Sequence, residues 1–300
     1  MSSCHNRITL GKPRWLRRTL PTGPEYEKIR QLLKGSALTT VCREAKCPNQ
    51  FECYGQGTAT FMILGERCTR NCRFCAVGHP PEGLPDPEEP ERVAEAVALL
   101  DLRYAVVTSV TRDDLADGGA ALFAETIRAI RRKKPGTLIE VLIPDLQGDR
   151  EALMTILDAG PDVLNHNTET VERLYPEVRP QARYQRSLEL ISRAKKARPD
   201  IPTKSGLMLG LGETFAEIDK TWRDLFAAGC DILTMGQYLQ PSSDHLPVER
   251  FLPPEEFAEL EDKAYAVGFA GVASGPFVRS SYQAEALYRL AKRRFAAREE

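Results

Sequence analysis

Three cysteines stand close together directly after an apolar run. Phe61 to Leu64 has strand character and stops at Gly65; Cys68, Cys72 and Cys75 follow, with three and then two residues between them. Thiolates at this spacing, on a loop leaving a strand, can converge on one metal centre. They can hold three irons of a four-iron cluster and leave the fourth without a protein ligand, open to a small molecule. A zinc loop lacking one ligand, or three buried thiols, are the plain alternatives. Upstream lies a second triplet, Cys42, Cys47 and Cys53, with gaps of four and five residues. Pro48, Gly55 and Gly57 give that stretch an irregular backbone suited to wrapping a cluster. On spacing alone, one zinc arrangement drawing on six thiols competes with two separate clusters.

Six of the eight cysteines fall between positions 42 and 75. In a chain of 300 residues with no apolar-cored secretory signal, such clustering favours metal over a disulfide framework. Residues 1–24 hold five basic side chains and no acidic one, a faint transit-peptide signal. Pro13, Trp15 and Leu16 make that segment look like an anchor laid on the body, so the expectation is a cytoplasmic protein. A net charge of −1 gives no reason to expect nucleic acid binding, and no apolar run approaches a membrane span.

The elements that must position these cysteines come next. Strand-like runs recur at Phe61–Leu64, Tyr104–Val110, Leu138–Ile143, Asp162–Asn167, Lys204–Leu209 and Asp231–Gln237, with Phe269–Ser274 as a short seventh. Helical spacing fills the gaps at Glu88–Asp101, Ala116–Lys134, Asp149–Gly160, Thr168–Ala197 (read as two helices), Thr214–Gly229 and Pro253–Gly268. Further helices are expected at Glu25–Lys34 and at about Gln283–Ala297, and Gly11–Leu16 reads as extended. Short, largely apolar strands alternating with helices imply a parallel sheet with both faces covered. Polar residues gather where strands end: Thr108, Ser109, Asp145, Asn165, His166, Asn167, Glu213 and Gln237. In parallel barrels that face builds the active site, and the Cys68 triplet leaves its strand on the same face. The expected fold is therefore α/β, a partial parallel (β/α)6 TIM-type barrel over residues 59–268. Extensions at 1–58 and 269–300 would cover its mouth.

Cys68-x3-Cys72-x2-Cys75 with Phe74 before the last cysteine resembles the radical S-adenosylmethionine (SAM) enzymes. In that superfamily the open iron binds the amino and carboxylate groups of SAM, which is then split to methionine and a 5′-deoxyadenosyl radical. With Cys42, Cys47 and Cys53 and the loop Arg279-Ser-Ser-Tyr282, the chain resembles the lipoyl synthase family. The likeness extends to Lys12–Leu16, Arg112–Leu115, Asn165–Asn167 and Gly206-x-Met208-x-Gly210-x-x-Glu213, nearly the whole length. The resemblance implies two [4Fe-4S] clusters: a SAM-cleaving one on Cys68, Cys72 and Cys75, and an auxiliary one on Cys42, Cys47, Cys53 and Ser281. It implies sulfur insertion at C6 and C8 of an octanoyl chain on a lysine of a lipoyl carrier domain, with two SAM consumed and the auxiliary cluster as the sacrificed sulfur source. It also implies octanoylated carriers (2-oxoacid dehydrogenase E2 subunits, glycine cleavage H protein), an electron donor such as flavodoxin or ferredoxin, and an iron–sulfur carrier as partners.

The chemistry accounts for what is missing. Unactivated C–H bonds leave no acid–base route, so a cofactor supplies the reactivity while the protein supplies position and exclusion of water. His166, the one histidine at a strand end, reads as part of a polar network. Candidates for SAM contact at the strand ends are Thr108, Glu140, Asn165, Met208 and Glu213. Glu140 lies mid-strand, so its chain must point inward to polar company or outward; Cys4 and Cys230 read as incidental. A sulfur-inserting radical SAM enzyme acting on a free small molecule is the alternative activity, and a zinc-stabilised scaffold the non-enzymatic one.

Overall fold

A strand that is apolar on both faces needs cover on both. The computed structural model describes residues 11–17, 39–40, 49, 59–81 and 83–299. Among them, eight strands form one sheet in chain order. β1 (Thr39–Thr40) runs antiparallel to β2 (Ala59–Ile63). All later pairings are parallel, through β3 (Tyr104–Ser109), β4 (Leu138–Leu142), β5 (Val163–Asn165), β6 (Thr203–Leu209), β7 (Ile232–Gln237) and β8 (Gly271–Gly275). Helices make the crossovers: α1 (Glu89–Leu99), α2 (Ala120–Lys133), α3 (Arg150–Asp158), α4 (Tyr175–Val178), α5 (Tyr184–Ala197), α6 (Phe215–Ala227) and α7 (Pro254–Val267). α8 (Ala284–Glu299) ends the chain.

The six expected strands are present. The seventh is a full member of the sheet, in register with β7 from Ile232↔Gly271 to Gly236↔Gly275. The parallel set is thus one strand larger than a (β/α)6 core. Three local expectations shift. Gly11–Leu16 is not simply extended, because the chain turns through a 3-10 helix at Arg14–Leu16 after Pro13. The helix expected from Ala116 begins at Ala120, because Gly118 and Gly119 take positive φ of 60° and 92°. Within Thr168–Ala197 the helical residues are α4 and α5, preceded by a 3-10 turn at Glu172–Leu174. Glu25–Lys34 and Cys42, Cys47 and Cys53 lie outside the described residues.

Side-chain alternation sorts the sheet's two faces. Ala105 and Val107 of β3 join the core with Val93 and Val97 of α1 and Phe123 and Ile127 of α2. Leu207, Leu233 and Met235 pack with Trp222 and Leu225 of α6 and Phe257 and Leu260 of α7. Each fully buried Val, Leu, Ile, Phe or Met among them contributes roughly 1.5–3 kcal/mol. The opposite set, Tyr104 and Val106 with Leu138, packs on Ala284 and Tyr288 of α8. The same helix packs Leu287 and Ala291 on Ile232 and Ala270. One helix touching both β3–β4 and β7–β8 requires the sheet to curl around it, and the contacts fall at the strands' first residues. α8 therefore closes the amino end of the interior, while the carboxyl end stays available for a site.

Between α8 and that site lies a buried polar layer. Glu140 Oε1 and Oε2 accept from Lys204 Nζ at 2.9 and 3.1 Å. Tyr104 donates to Oε2 at 2.7 Å and Asn165 Nδ2 to Oε1 at 2.8 Å. Both members of the ion pair are about 1% exposed. A charge this deep is tolerated only when so fully partnered.

Candidate metal centre and cofactor cavity

The cysteine loop starts at a turn that only an unusual backbone can make. Leu64 and Gly65 take φ of 70° and 94°. The Leu64 N–H donates to the buried carboxylate of Glu89 at 2.8 Å, and Arg112 Nη1 donates to the Leu64 carbonyl at 3.3 Å. The loop is then stitched to its neighbours. Cys68 N donates to Gly78 O, Thr69 N to Thr111 O, Arg73 N to Val178 O, and Leu246 N to Arg73 O. His245 Nε2 donates to the Cys75 carbonyl at 2.9 Å, with Ser242 Oγ at 2.8 Å from its Nδ1. Cys68 Sγ accepts from Arg70 N at 3.4 Å and from Thr111 N at 3.2 Å.

Cys68, Cys72 and Cys75 all line a cavity of ≈ 330 Å³ at the carboxyl ends of the strands. That volume lies at the lower end of the roughly 300–1,000 Å³ of ligand pockets. Met62, Phe74, Val77, Val110, Leu207 and Met208 make much of its lining apolar. Polar groups converge from Asn167, Glu169, Arg179 and the segment Arg279–Ser281. Burial pushes the Cys72 thiol up, partly offset by Arg179, and pushes Cys75 up to about 12. A metal takes thiolates, so its binding releases protons from these thiols. Burial also raises the Glu169 carboxyl, against the attraction of Arg179.

Gly236 on β7 lets the carboxyl-terminal segment enter, since a Cβ there would lie 2.0 Å from the Val278 carbonyl oxygen. Asn167 Nδ2 then donates to Glu169 Oε1 at 3.0 Å and to Ser280 Oγ at 2.5 Å, tying the end of β5 to this segment.

The sequence profile of the radical SAM superfamily matches residues 62–225, and that of the N-terminal domain of lipoyl synthase matches residues 3–47. The chain is 67% identical to lipoyl synthase of Desulfotalea psychrophila over 288 residues, 96% of each chain. The chain belongs to the lipoyl synthase family. It is 56% identical to the Rubrobacter xylanophilus lipoyl synthase over 91% of this chain and 85% of that one. The fold is shared with methylornithine synthase at a TM-score of 0.55 and 15% identity, covering 82% of this chain and 74% of that one. Lipoyl synthases use SAM and two four-iron clusters.

The described donor set fits the SAM-binding cluster. Among the described residues no group of His, Cys, Asp or Glu gathers as a single metal ion needs. A four-iron cluster asks for a different arrangement, one thiol per iron around a body that fills space. Three thiols lining one cavity, with two N–H groups already on Cys68 Sγ, match that demand. Of the auxiliary set only Ser281 is described, and it lines the same cavity.

The expected SAM contacts divide. Thr108 and Met208 line the cavity. Glu140 and Asn165 do not; they bond to each other, with Lys204 and Tyr104, in the layer beneath. Glu213 does not line it either, because its carboxylate accepts from Gly210 N and Leu211 N and holds the turn after β6. His166 lines the cavity yet is fully bonded: Nδ1 donates to Ile143 O at 2.9 Å and Nε2 accepts from Ser187 Oγ at 2.9 Å. Burial lowers its pKa to about 4, so it is neutral. Cys230 is buried and donates to Ile232 O, apart from the site. Sequence reasoning missed Glu169 and Arg179. Glu169 has a signal, four residues past Asn165 at the same strand end. Arg179 has none: it folds back from the end of α4 to donate to Asn167 O and Thr168 O.

Proposed function

We propose that this chain is a lipoyl synthase: it inserts two sulfur atoms at C6 and C8 of an octanoyl chain carried in amide linkage on a lysine of a lipoyl carrier domain. The observation that supports this reading best is that Cys68, Cys72 and Cys75 share one largely apolar cavity with Ser281 of the Arg-Ser-Ser-Tyr loop. When bound, SAM and its cluster supply the hydrogen-abstracting radical, and the auxiliary cluster supplies sulfur. The protein's own part is placement. Cys68, Cys72 and Cys75 hold the first cluster; Cys42, Cys47, Cys53 and Ser281 hold the second. Thr108, Met208, Asn167 and Glu169 line the cavity and would contact SAM, and Arg179 holds the Asn167–Glu169 turn in shape. Met62, Val110 and Leu207 exclude water and suit an alkyl chain. The substrates are octanoylated E2 subunits or the H protein, electrons come from a flavodoxin- or ferredoxin-type donor, and an iron–sulfur carrier restores the auxiliary cluster. No described helix is long and apolar enough to cross a membrane.

The test is anaerobic reconstitution followed by product analysis. The reading requires about eight irons per chain, a lipoyl group formed on an octanoylated carrier domain, and 5′-deoxyadenosine released. Turnover of free octanoate but not of the carrier overturns the substrate assignment. Zinc without iron or sulfide overturns the chemistry.

A further inference from the structure

Arg70 sits between Cys68 and Cys72 but does not line the cavity. Its side chain is 3% exposed. Nε and Nη2 donate to the two oxygens of Asp113 at 2.7 and 2.9 Å, and Nη2 also reaches Asp145 Oδ1 at 2.6 Å. Asp113 lies in the loop after β3 and Asp145 in the loop after β4. Asp145 is wholly buried and takes a further contact from Arg186 of α5 at 3.3 Å. A guanidinium is the side chain that can fork to two carboxylates in this way.

The backbone beside it forms a second seam with the same loop. Thr69 N and Oγ1 both donate to Thr111 O at 2.9 Å, and Asp113 N donates to Thr69 Oγ1 at 3.1 Å. This seam brings Thr111 N to Cys68 Sγ, while Arg70 N reaches the same sulfur from within the loop.

We propose, on the reading of the triplet given above, that Arg70 is a positioning residue that tunes the SAM-binding cluster through Cys68. Its ion pairs press segment 68–70 onto Thr111–Asp113 and so aim two N–H groups at the Cys68 sulfur, which would ligate the cluster. Hydrogen bonds to sulfur stabilise the more negative, reduced cluster and raise its potential. Without the guanidinium, Asp113 loses this ion pair and Asp145 keeps Arg186 and the Gln147 N–H, and the seam is pushed apart.

The experiment uses the full chain carrying Cys42→Ala, Cys47→Ala and Cys53→Ala, reconstituted so that only one cluster is present. Iron release to a chelator and the cluster's reduction potential are measured for Arg70→Gln, Arg70→Lys and Asp113→Asn. Arg70→Gln is expected to release iron roughly ten- to a hundredfold faster, the usual cost of removing support behind a metal ligand, and its potential moves negative. Asp113→Asn moves both in the same direction by less. Arg70→Lys restores part of each, keeping the charge but not the fork. Asp113 is 28% exposed and its variant keeps Arg70 paired to Asp145, so it carries the test if Arg70→Gln does not fold. An unaltered potential and release rate in Asp113→Asn overturns the proposal alone. Failure of the background chain to take a four-iron cluster overturns the reading of the triplet and the proposal with it.

Discussion

The Cα hydrogens of Gly236 face the Val278 carbonyl so closely that a Cβ on Gly236 would lie 2.0 Å from its oxygen. No rotamer change relieves that contact, because the opposing atom is backbone. The bare strand position on β7 is what admits the segment carrying Arg279, Ser280 and Ser281. Gly236→Ala is expected to destabilise the chain by about 1–3 kcal/mol, as overpacking does, read from denaturant unfolding. It should also lower iron from about eight toward about four per chain as Ser281 is displaced. Full iron at an unchanged midpoint contradicts this account.

On the proposed assignment, replacing Cys68, Cys72 or Cys75, which line the cavity, by Ala removes one of three protein ligands. SAM cleavage should be abolished in each case. Retained 5′-deoxyadenosine formation in any of the three would falsify the ligand assignment.

Replacing Cys42, Cys47 or Cys53 by Ala should stop sulfur insertion yet leave some SAM cleavage, because the radical-generating site is separate. The check is product mass beside 5′-deoxyadenosine in one reaction. A dithiolated product from such a variant would mean that sulfur comes from elsewhere.

As the proposed fourth ligand of the auxiliary cluster, Ser281 would offer a hard, weakly acidic oxygen to an iron that prefers thiolate. A serine hydroxyl loses its proton far less readily than a thiol, so the iron it holds should be the easiest to release. Ser281→Cys is expected to assemble a cluster but slow or block sulfur transfer, and Ser281→Ala to lose iron. Single-turnover product formation at matched iron loading decides it; wild-type turnover by Ser281→Cys defeats the argument.

Lys204→Met leaves Glu140 buried with only the Tyr104 and Asn165 donors. Removing one partner of a buried pair costs roughly 3–5 kcal/mol. Adding Glu140→Gln should recover part of the loss. Equal unfolding midpoints for wild type and Lys204→Met would show that this layer does not support the barrel.

The cysteine spacings, the strand–helix alternation and the polar residues at strand ends were legible in the chain itself. They are local facts: a ligand triplet needs its residues near one another, and a strand buried on both faces must be apolar throughout. The same local logic marked Phe269–Ser274 as a strand, but whether it joins the sheet depends on pairing with β7, from Ile232↔Gly271 to Gly236↔Gly275, 39 residues apart. Tertiary structure alone decided which polar residues face the cavity. Thr108 and Met208 do; Glu140, Asn165 and Glu213 do not, because Lys204, Tyr104 and the turn at Gly210 lie within hydrogen-bonding reach of them. Partners of that kind are fixed by how far the sheet curls and where neighbouring strands end. Arg179 reaching Asn167, and Arg70 reaching Asp113 and Asp145, are the same case: contacts across 12, 43 and 75 positions that no spacing in the sequence announces.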